Sequence, residues 1–443
     1  MIKRLSKVFV SLIEEYLPDP YLFAIALTFI VFILGILMAD NTPVEMVNHW
    51  GAGFWDLLEF AMQMCLVLIT GHVMANTPLF SNILKKVASV PKTAGGAIAF
   101  TTLISAIACW VNWGFGLVIG ALLAREVAKQ VEGVDYRLLI ASAYSGFVVW
   151  HAGLAGSVPL TIATEGHFME ELMGVIPVAE TIFTPYNLII SVIIIITIPF
   201  LNKMMLPKEE DRVVVDPEIL KKEDEEAEIA ATDNSMDTTA DRLENSTLIS
   251  MLLGAMGVVY LIYYFANNGF DLNLNIVNFL FLTVGIILHK TPRRYLKAFD
   301  TAVRGCSGII LQFPLYSGIM GMMIGSGLAV MMSEFFVSIA TQTTLPFFSF
   351  LSAGIVNFFV PSGGGQWAVQ APIMVPAAVD LGIDVSRISM AVAWGDAWTN
   401  MIQPFWALPA LGIAGLGARD IMGYCIMVLI WTGIIASLGL MLI

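Results

Sequence analysis

Uncharged apolar runs return along nearly the whole chain, at Tyr21–Ala39, Leu57–Phe80, Ile182–Leu206, Thr247–Phe265 and Met422–Ile443. Each is close to the roughly 20 residues a helix needs to cross a hydrocarbon core about 30 Å thick. In lipid every backbone polar group must be satisfied internally, so helices are the form these runs take. Only 13% of the 443 residues are charged, too few to give such runs a polar cover. The expectation is an all-α polytopic membrane protein. The runs are too long and too uniformly apolar for the strands of an outer-membrane barrel. The first run lacks a small-residue cleavage site and is expected to stay as a membrane helix.

Charge is concentrated in one place. Between Glu209 and Glu244 there are 14 acidic and 4 basic residues, a net of −10 out of −13 for the chain. Such a polar stretch buries too little to pack as a core, and is expected to be an acidic cytoplasmic linker over 207–246. The four cysteines, Cys65, Cys109, Cys306 and Cys425, are scattered in apolar runs, with no spacing that suggests a metal site or a disulfide.

Basic residues orient the rest. With the N-terminus cytoplasmic, Tyr21–Ala39 runs outward, "DNTPVEMVNHWGAG" is an external loop, and Leu57–Phe80 returns to Lys85, Lys86 and Lys92. Residues 95–124, with "VNWGFG" at their middle, then have to be a re-entrant hairpin, because a single span would export Arg125, Lys129 and Arg137. A broken helix over about 138–164 goes out and Ile182–Leu206 comes back. Thr247–Phe265, within a connecting helix over 247–268, goes out and Ile276–His289 returns. Gly305–Met332 goes out, residues 346–379 dip in from outside as a second hairpin, a second broken helix over about 388–415 returns, and Met422–Ile443 ends in the periplasm. This threading places 21 of the 22 Lys and Arg in the cytoplasm, all but Arg387.

The threading exposes a repeat. Gly71 and Gly318, Asn112 and Asn357, and Pro159 and Pro409 lie 247, 245 and 250 residues apart. Residues 1–206 and 269–443 therefore read as two inverted repeats, each with a re-entrant helical hairpin and a broken transmembrane helix. Inverted repeats are typical of secondary transporters, whose substrate site lies near the midplane between broken helices.

Four places break the helical pattern at membrane depth, where irregular backbone survives only if buried in protein or facing a water-filled cavity. Two are hairpin tips: Asn112, Trp113, Gly114 and Gly116 in one, and Asn357 with Ser362, Gly363, Gly364, Gly365 and Gln366 in the other. Two are helix interruptions. One is the stretch His151–Pro159, with Gly153, Gly156 and Ser157. The other is Gly395–Pro404, with Asp396, Trp398, Thr399, Asn400 and Gln403. Helix N-termini exposed at such breaks carry partial positive charge and bind anions. No Lys or Arg lies near them, which suits a single carboxylate held weakly enough to be released. The aromatic surroundings (Trp113, Phe115, Trp150, Phe358, Trp367, Trp398, Phe405, Trp406) suit a short acyl chain, and equally suit helix packing.

Asp396 is the one acidic residue deep inside a membrane segment. A buried carboxylate there is expensive and marks function by default. It could carry H+, bind Na+ beside backbone carbonyls, or cap exposed N–H groups as an N-cap does. Asn112, Asn357 and Thr399 join it as ion-coupling candidates. His151 stands at the matching break. Gly71, Gly318 and the Gly153/Gly156 pair fit helix-packing contacts as well. There is no P-loop, HExxH, GxSxG or Cys/His cluster, so no ATP motor, no enzyme motif, no cofactor and no nucleic-acid partner is expected. A passive weak-acid or anion channel, a carrier for another small carboxylate and an intramembrane enzyme are the competing readings.

At "LPDPYLFAIALTF", "GFWDLLEFAMQMCLVLITGH", "CWVNWGFGLVIGALLAREVA", "LHKTPRRYL", "VPSGGGQWAVQAP" and "QPFWALPALGIAGLGARDIMGYC" the chain resembles the short-chain fatty acid transporter family. The resemblance implies a permease of the bacterial inner membrane for short-chain fatty acids such as acetoacetate and butyrate. That family is similar to the ion transporter superfamily of secondary carriers. This implies a homodimer, two inverted repeats, elevator-like motion, and substrate and sometimes Na+ at hairpin tips and unwound helices. Superfamily dicarboxylate carriers have Ser-Asn-Thr at both tips, whereas here the tips read "VNWGFG" and "VPSGGGQ".

Overall fold

The structure is a computed structural model, and it describes residues 2–16, 20–75, 77–163, 165–167, 169–215, 238–269, 274–361 and 363–442. The centre of the expected linker, 216–237, lies outside them. The described chain is all helix. The N-terminal half comprises α1 (Ile2–Tyr16), α2 (Pro20–Met38), α3 (Pro43–Gly53), α4 (Leu58–Ala75), α5 (Pro78–Ala88), α6 (Ala94–Val111), α7 (Trp113–Gln130), α8 (Tyr136–Ser145), α9 (Ser157–Ile162), α10 (Glu170–Met173) and α11 (Pro185–Met205). After α12 (Thr239–Glu244) come α13 (Thr247–Asn268), α14 (Leu274–His289), α15 (Pro292–Val303), α16 (Ser307–Gly325), α17 (Leu328–Ser338), α18 (Leu345–Phe359), α19 (Gly363–Asp380), α20 (Val385–Thr399), α21 (Pro404–Ala414) and α22 (Ala418–Leu442).

Six helical segments among the described residues are long and apolar enough to cross a membrane: α6, Tyr136–Ile162, α11, α13, α16 and α22. On α13 large apolar side chains stay exposed (Leu248, Met256, Ile262 and Tyr263 are each at least 65% accessible). A helix apolar on its outer face belongs against lipid. The chain is a multi-pass membrane protein.

Local chemistry sets many boundaries. Thr-Pro opens α3, α5, α11 and α15, with Thr42, Thr77, Thr184 and Thr291 as N-caps. The Thr hydroxyl accepts a backbone N–H at three of these starts, and Pro at the first helical position loses only a donor that has no helical partner. Thr42 and Glu45 complete a reciprocal capping box. These signals correct three expectations. The "DNTPVEMVNHWGAG" loop folds as α3. The Leu57–Phe80 run is two helices, α4 and α5. The Gly305–Met332 run is also two, because Gly327 adopts φ +80 between α16 and α17.

Both hairpins form as helix–tip–helix pairs. The feet of α6 and α7 come back to the same end of the molecule. Gly95 lies against the Lys203 side chain, and Gln130 Nε2 donates to the Lys85 carbonyl at 3.1 Å. That end also holds the Lys7–Asp211 ion pair at 3.0 Å and the Arg212 Nη1 bond to the Gly133 carbonyl at 2.9 Å. The feet of α18 and α19 meet where Gly382 faces Gln342. Arg387 sits away from the basic end, donating to the Leu440 carbonyl. Between α18 and α20 the contact is so close that a Cβ on Gly395 would strike the Phe350 carbonyl. Glycine is what lets these backbones touch.

Candidate functional site

Two helix breaks and two hairpin tips meet in the interior. The first broken helix leaves α8 through a 3-10 turn, Gly146–Ala152, and resumes at α9. The turn carries Trp150 and His151, both buried and stacked at 4.1 Å. The tip of α6/α7 reaches Trp150 from one side, where Trp113 packs at 5.6 Å, and Trp406 of α21 packs on Trp113 and Trp150. The tip of α18/α19 reaches His151 from the other side. A Cβ on Gly363 would lie 2.7 Å from His151 Cε1 and 3.1 Å from the Trp150 ring.

His151 is fixed at both nitrogens. Nε2 is 3.0 Å from the backbone N–H of Val158, and Nδ1 is 2.7 Å from Oδ2 of Asp396. A backbone N–H only donates, so Nε2 accepts, the imidazole is neutral, and its proton is on Nδ1, donated to the carboxylate. Asp396 is 1% exposed, and its Oδ1 has no hydrogen-bond partner among the described residues. A carboxylate oxygen in a dry interior costs free energy until a proton, a cation or a donor reaches it.

The surroundings are polar and uncharged. Asn357 Nδ2 donates to the Asp396 carbonyl and to Thr399 Oγ1, both at 2.9 Å, while its Oδ1 is left without a partner. Asn400 Oδ1 accepts from Trp150 Nε1 at 2.8 Å, and the Asn400 carbonyl accepts from the Tyr144 hydroxyl at 2.6 Å. Gln366 Nε2 donates to the Ala353 carbonyl and to Gln370 Oε1, both at 2.8 Å. Gln403 caps α21 by accepting from the Phe405 N–H at 2.6 Å. No group of three or more His, Cys, Asp or Glu that could hold a metal ion occurs among the described residues.

Several expected positions take other roles. The glycine-rich tips are helical sooner than expected: Trp113–Gly116 and Gly363–Gln366 form the first turns of α7 and α19. Asn357 belongs to the last turn of α18 rather than to the tip. The second interruption is shorter than Gly395–Pro404, because α20 runs to Thr399 and leaves Asp396 inside the helix. Asp396 therefore caps nothing. Asn112 caps α7, accepting from the Phe115 N–H at 3.0 Å. Trp398 is engaged by α22, where its indole donates to the Leu429 carbonyl at 2.7 Å. Gly116 packs on Cys109 of the opposite hairpin arm, Gly153 on the Trp110 carbonyl and Gly156 on the His151 carbonyl. Gly71 packs on Val118 and Gly318 on Trp50. Gly114 is buried, Gly365 and Ser157 are half-buried, and Gly364 faces open space. Ser362 lies outside the described residues.

Sequence reasoning missed Tyr144 and Asn187. Asn187 donates to the Ala152 and Ile182 carbonyls and accepts from Trp394 Nε1, tying α11 to both broken helices. An Asn within an otherwise apolar span was the available signal. The Val158 amide gave none.

A family model described as short chain fatty acid transporter matches residues 1–443. The chain belongs to the short-chain fatty acid transporter family. A protein of Escherichia coli (strain K12) bearing the provisional name short-chain fatty acid transporter is 46% identical to it over 442 residues, covering all of both chains. A protein of the same provisional name from Haemophilus influenzae (strain ATCC 51907 / DSM 11121 / KW20 / Rd) is 44% identical over 450 residues, covering 99% of each. Two solved structures align over nearly the full length. The YdaH transporter of Alcanivorax borkumensis does so at 14% identity and TM-score 0.46, covering 96% of this chain and 97% of that one. Neisseria gonorrhoeae MtrF, titled as illuminating a class of antimetabolite efflux pumps, does so at 13% identity and TM-score 0.38, covering 97% of each. The family is one of transporters rather than enzymes, so the buried His–Asp pair belongs to a transporter.

Proposed function

We propose that this transporter is a secondary active symporter of short-chain monocarboxylates, acetoacetate and butyrate among them, working across the bacterial inner membrane. The observation that carries this reading is the 2.7 Å contact between His151 and Asp396, which joins the two broken helices and leaves one carboxylate oxygen over. The first turn of α19, beginning at Gly363 beside His151, offers backbone N–H groups to an anion. A substrate carboxylate bound there would sit near the Asp396 carboxylate. Two such charges in a dry site repel, and one cation taken with the substrate removes the repulsion. That shared electrostatic cost is the coupling.

The coupled cation is H+, taken by Asp396 Oδ1. A Na+ reading has its own support in Asn357 Oδ1, another buried oxygen without a partner among the described residues, on a side chain whose Nδ2 donates to the Asp396 carbonyl. The two halves act as inverted repeats, with α6/α7 and α18/α19 re-entrant from opposite sides and the N-terminus cytoplasmic. A homodimer moving its transport domains elevator-fashion completes the reading, as the superfamily resemblance implies. Purified protein in liposomes should take up labelled butyrate under an inward proton gradient in sodium-free buffer. Uptake that needs a Na+ gradient instead selects Na+. Flux indifferent to both gradients points to a passive channel, and no uptake of any C2–C6 acid sinks transport of this class.

A further inference from the structure

Near the basic end of the molecule a cavity of about 470 Å3 opens between α4, α7, α16 and α21, and none of the hairpin-tip residues lines it. Its wall includes Arg125, Arg304, His72, Thr301, Gln312 and Leu411, and no Asp or Glu lines it among the described residues. Arg125 is half-buried and aimed by a bond from Nη1 to the Ile413 carbonyl at 2.9 Å. Gln312 is only 5% exposed, yet its amide oxygen has no partner among the described residues. A half-turn of that amide presents an N–H in place of the oxygen. The next residue, Phe313, stacks on Phe405 at 4.0 Å, and Phe405 meets Trp406, which packs on Trp150 beside His151. A chain of aromatic contacts thus runs from the helix that carries Gln312 to the buried pair.

We propose that this cavity is a second, low-affinity carboxylate site: a vestibule that gathers short-chain monocarboxylates on the basic side and releases them there. The inference rests on the transport reading for its role but not for its chemistry. Guanidinium groups match a carboxylate with paired N–H donors, and a cleft of one charge sign raises the local concentration of the opposite ion. Arg304 lies at the open mouth and Gln312 deep in the wall. Leu411 gives the acyl tail an apolar face. The buried pair sits among neutral groups, whereas the vestibule supplies fixed positive charge where water can take over the anion on release.

The test uses protection from alkylation. All four native cysteines are buried, and Thr301 is exposed, so Thr301→Cys gives the full-length protein one reactive thiol. Sodium butyrate, compared with sodium chloride at equal ionic strength, should slow its reaction with N-ethylmaleimide several-fold. Adding Arg304→Gln, at an exposed position, or Arg125→Gln should abolish the protection. In liposomes of known orientation the Arg304→Gln protein should show a KM raised roughly tenfold from the basic side only, the worth of one charge-assisted hydrogen bond. Equal labelling rates with and without butyrate overturn the vestibule, as does a KM raised equally from both sides. Protection without any wild-type uptake leaves the site standing and removes the transport reading. Uptake without protection does the reverse.

Discussion

At the scale of single residues, His151 and Asp396 depend on each other. Removing one partner of a buried pair leaves the other exposed to the full cost of burial, about 3–5 kcal/mol, whereas replacing both by apolar groups is often neutral. His151→Ala should therefore lower thermal stability markedly, and the double change His151→Phe with Asp396→Leu should regain most of it without regaining transport. Thermal unfolding in detergent alongside liposome uptake measures both. Asp396→Asn keeps the shape and the contact with His151. Its expected outcome is a stable protein whose butyrate uptake no longer responds to the ion gradient. Unchanged gradient dependence would reduce Asp396 to a structural residue. The pair itself was half visible in the sequence. A lone Asp and a lone His inside apolar runs stood out because lipid makes charge expensive. That they touch did not, since 245 residues separate them.

At the scale of elements, the hairpins and the linker's end carry separate tests. Asn112 is the only non-helical residue between α6 and α7, and its side chain caps α7. Asn112→Ala should cost about 1 kcal/mol of stability, while Asn112→Ser keeps a capping oxygen and most of that stability. A chemical-denaturation series reads the difference. The α12 helix is clamped to α15 by Arg293, 2.6 Å from Asp241 and 2.9 Å from Glu244. Hydrogen bonds from Thr238, then the Arg293 contact, hold the Asp241 carboxyl below its ordinary range. A lowered folded-state value means the clamp is at full strength above the ordinary carboxylate range and is lost as pH falls through that lowered value. Limited proteolysis around 238–246 should accelerate only under strongly acidic conditions, and Arg293→Gln should accelerate it at neutral pH. The tips were legible because Asn and consecutive glycines interrupt otherwise uniform helix. Their width was misjudged because glycine is tolerated in a helix's first turn, so "GGGQ" opens α19 instead of preceding it.

At the scale of the whole molecule, the reading of two re-entrant hairpins makes a sided prediction. Ser89 and Glu132 flank α6/α7, and Gln342 and Asp380 flank α18/α19. All four are exposed, and the native cysteines are buried. Single Cys substitutions at these positions, labelled in intact cells with a membrane-impermeant maleimide, should divide by hairpin. Gln342→Cys and Asp380→Cys should react, and Ser89→Cys and Glu132→Cys should react only after permeabilisation. Opposite behaviour of the two feet of either hairpin would make it a simple span.

The sequence by itself determined that this is a helical membrane protein, and it pointed to four of the places where the helices are interrupted and to the rare polar residues that prove buried there. These follow from local terms: the cost of unpaired backbone and buried charge in hydrocarbon, and the conformations open to Gly, Pro and Asn. The motifs that carry the family resemblance needed no fold to be seen. Tertiary structure alone decided which breaks face each other. It put Val158's amide on His151 and His151 on Asp396, sent Trp398 to α22, and gathered Arg125, Arg304 and Gln312 around one cavity. Those contacts join residues far apart along the chain, and they are set by how helices pack around glycine, which no local pattern records.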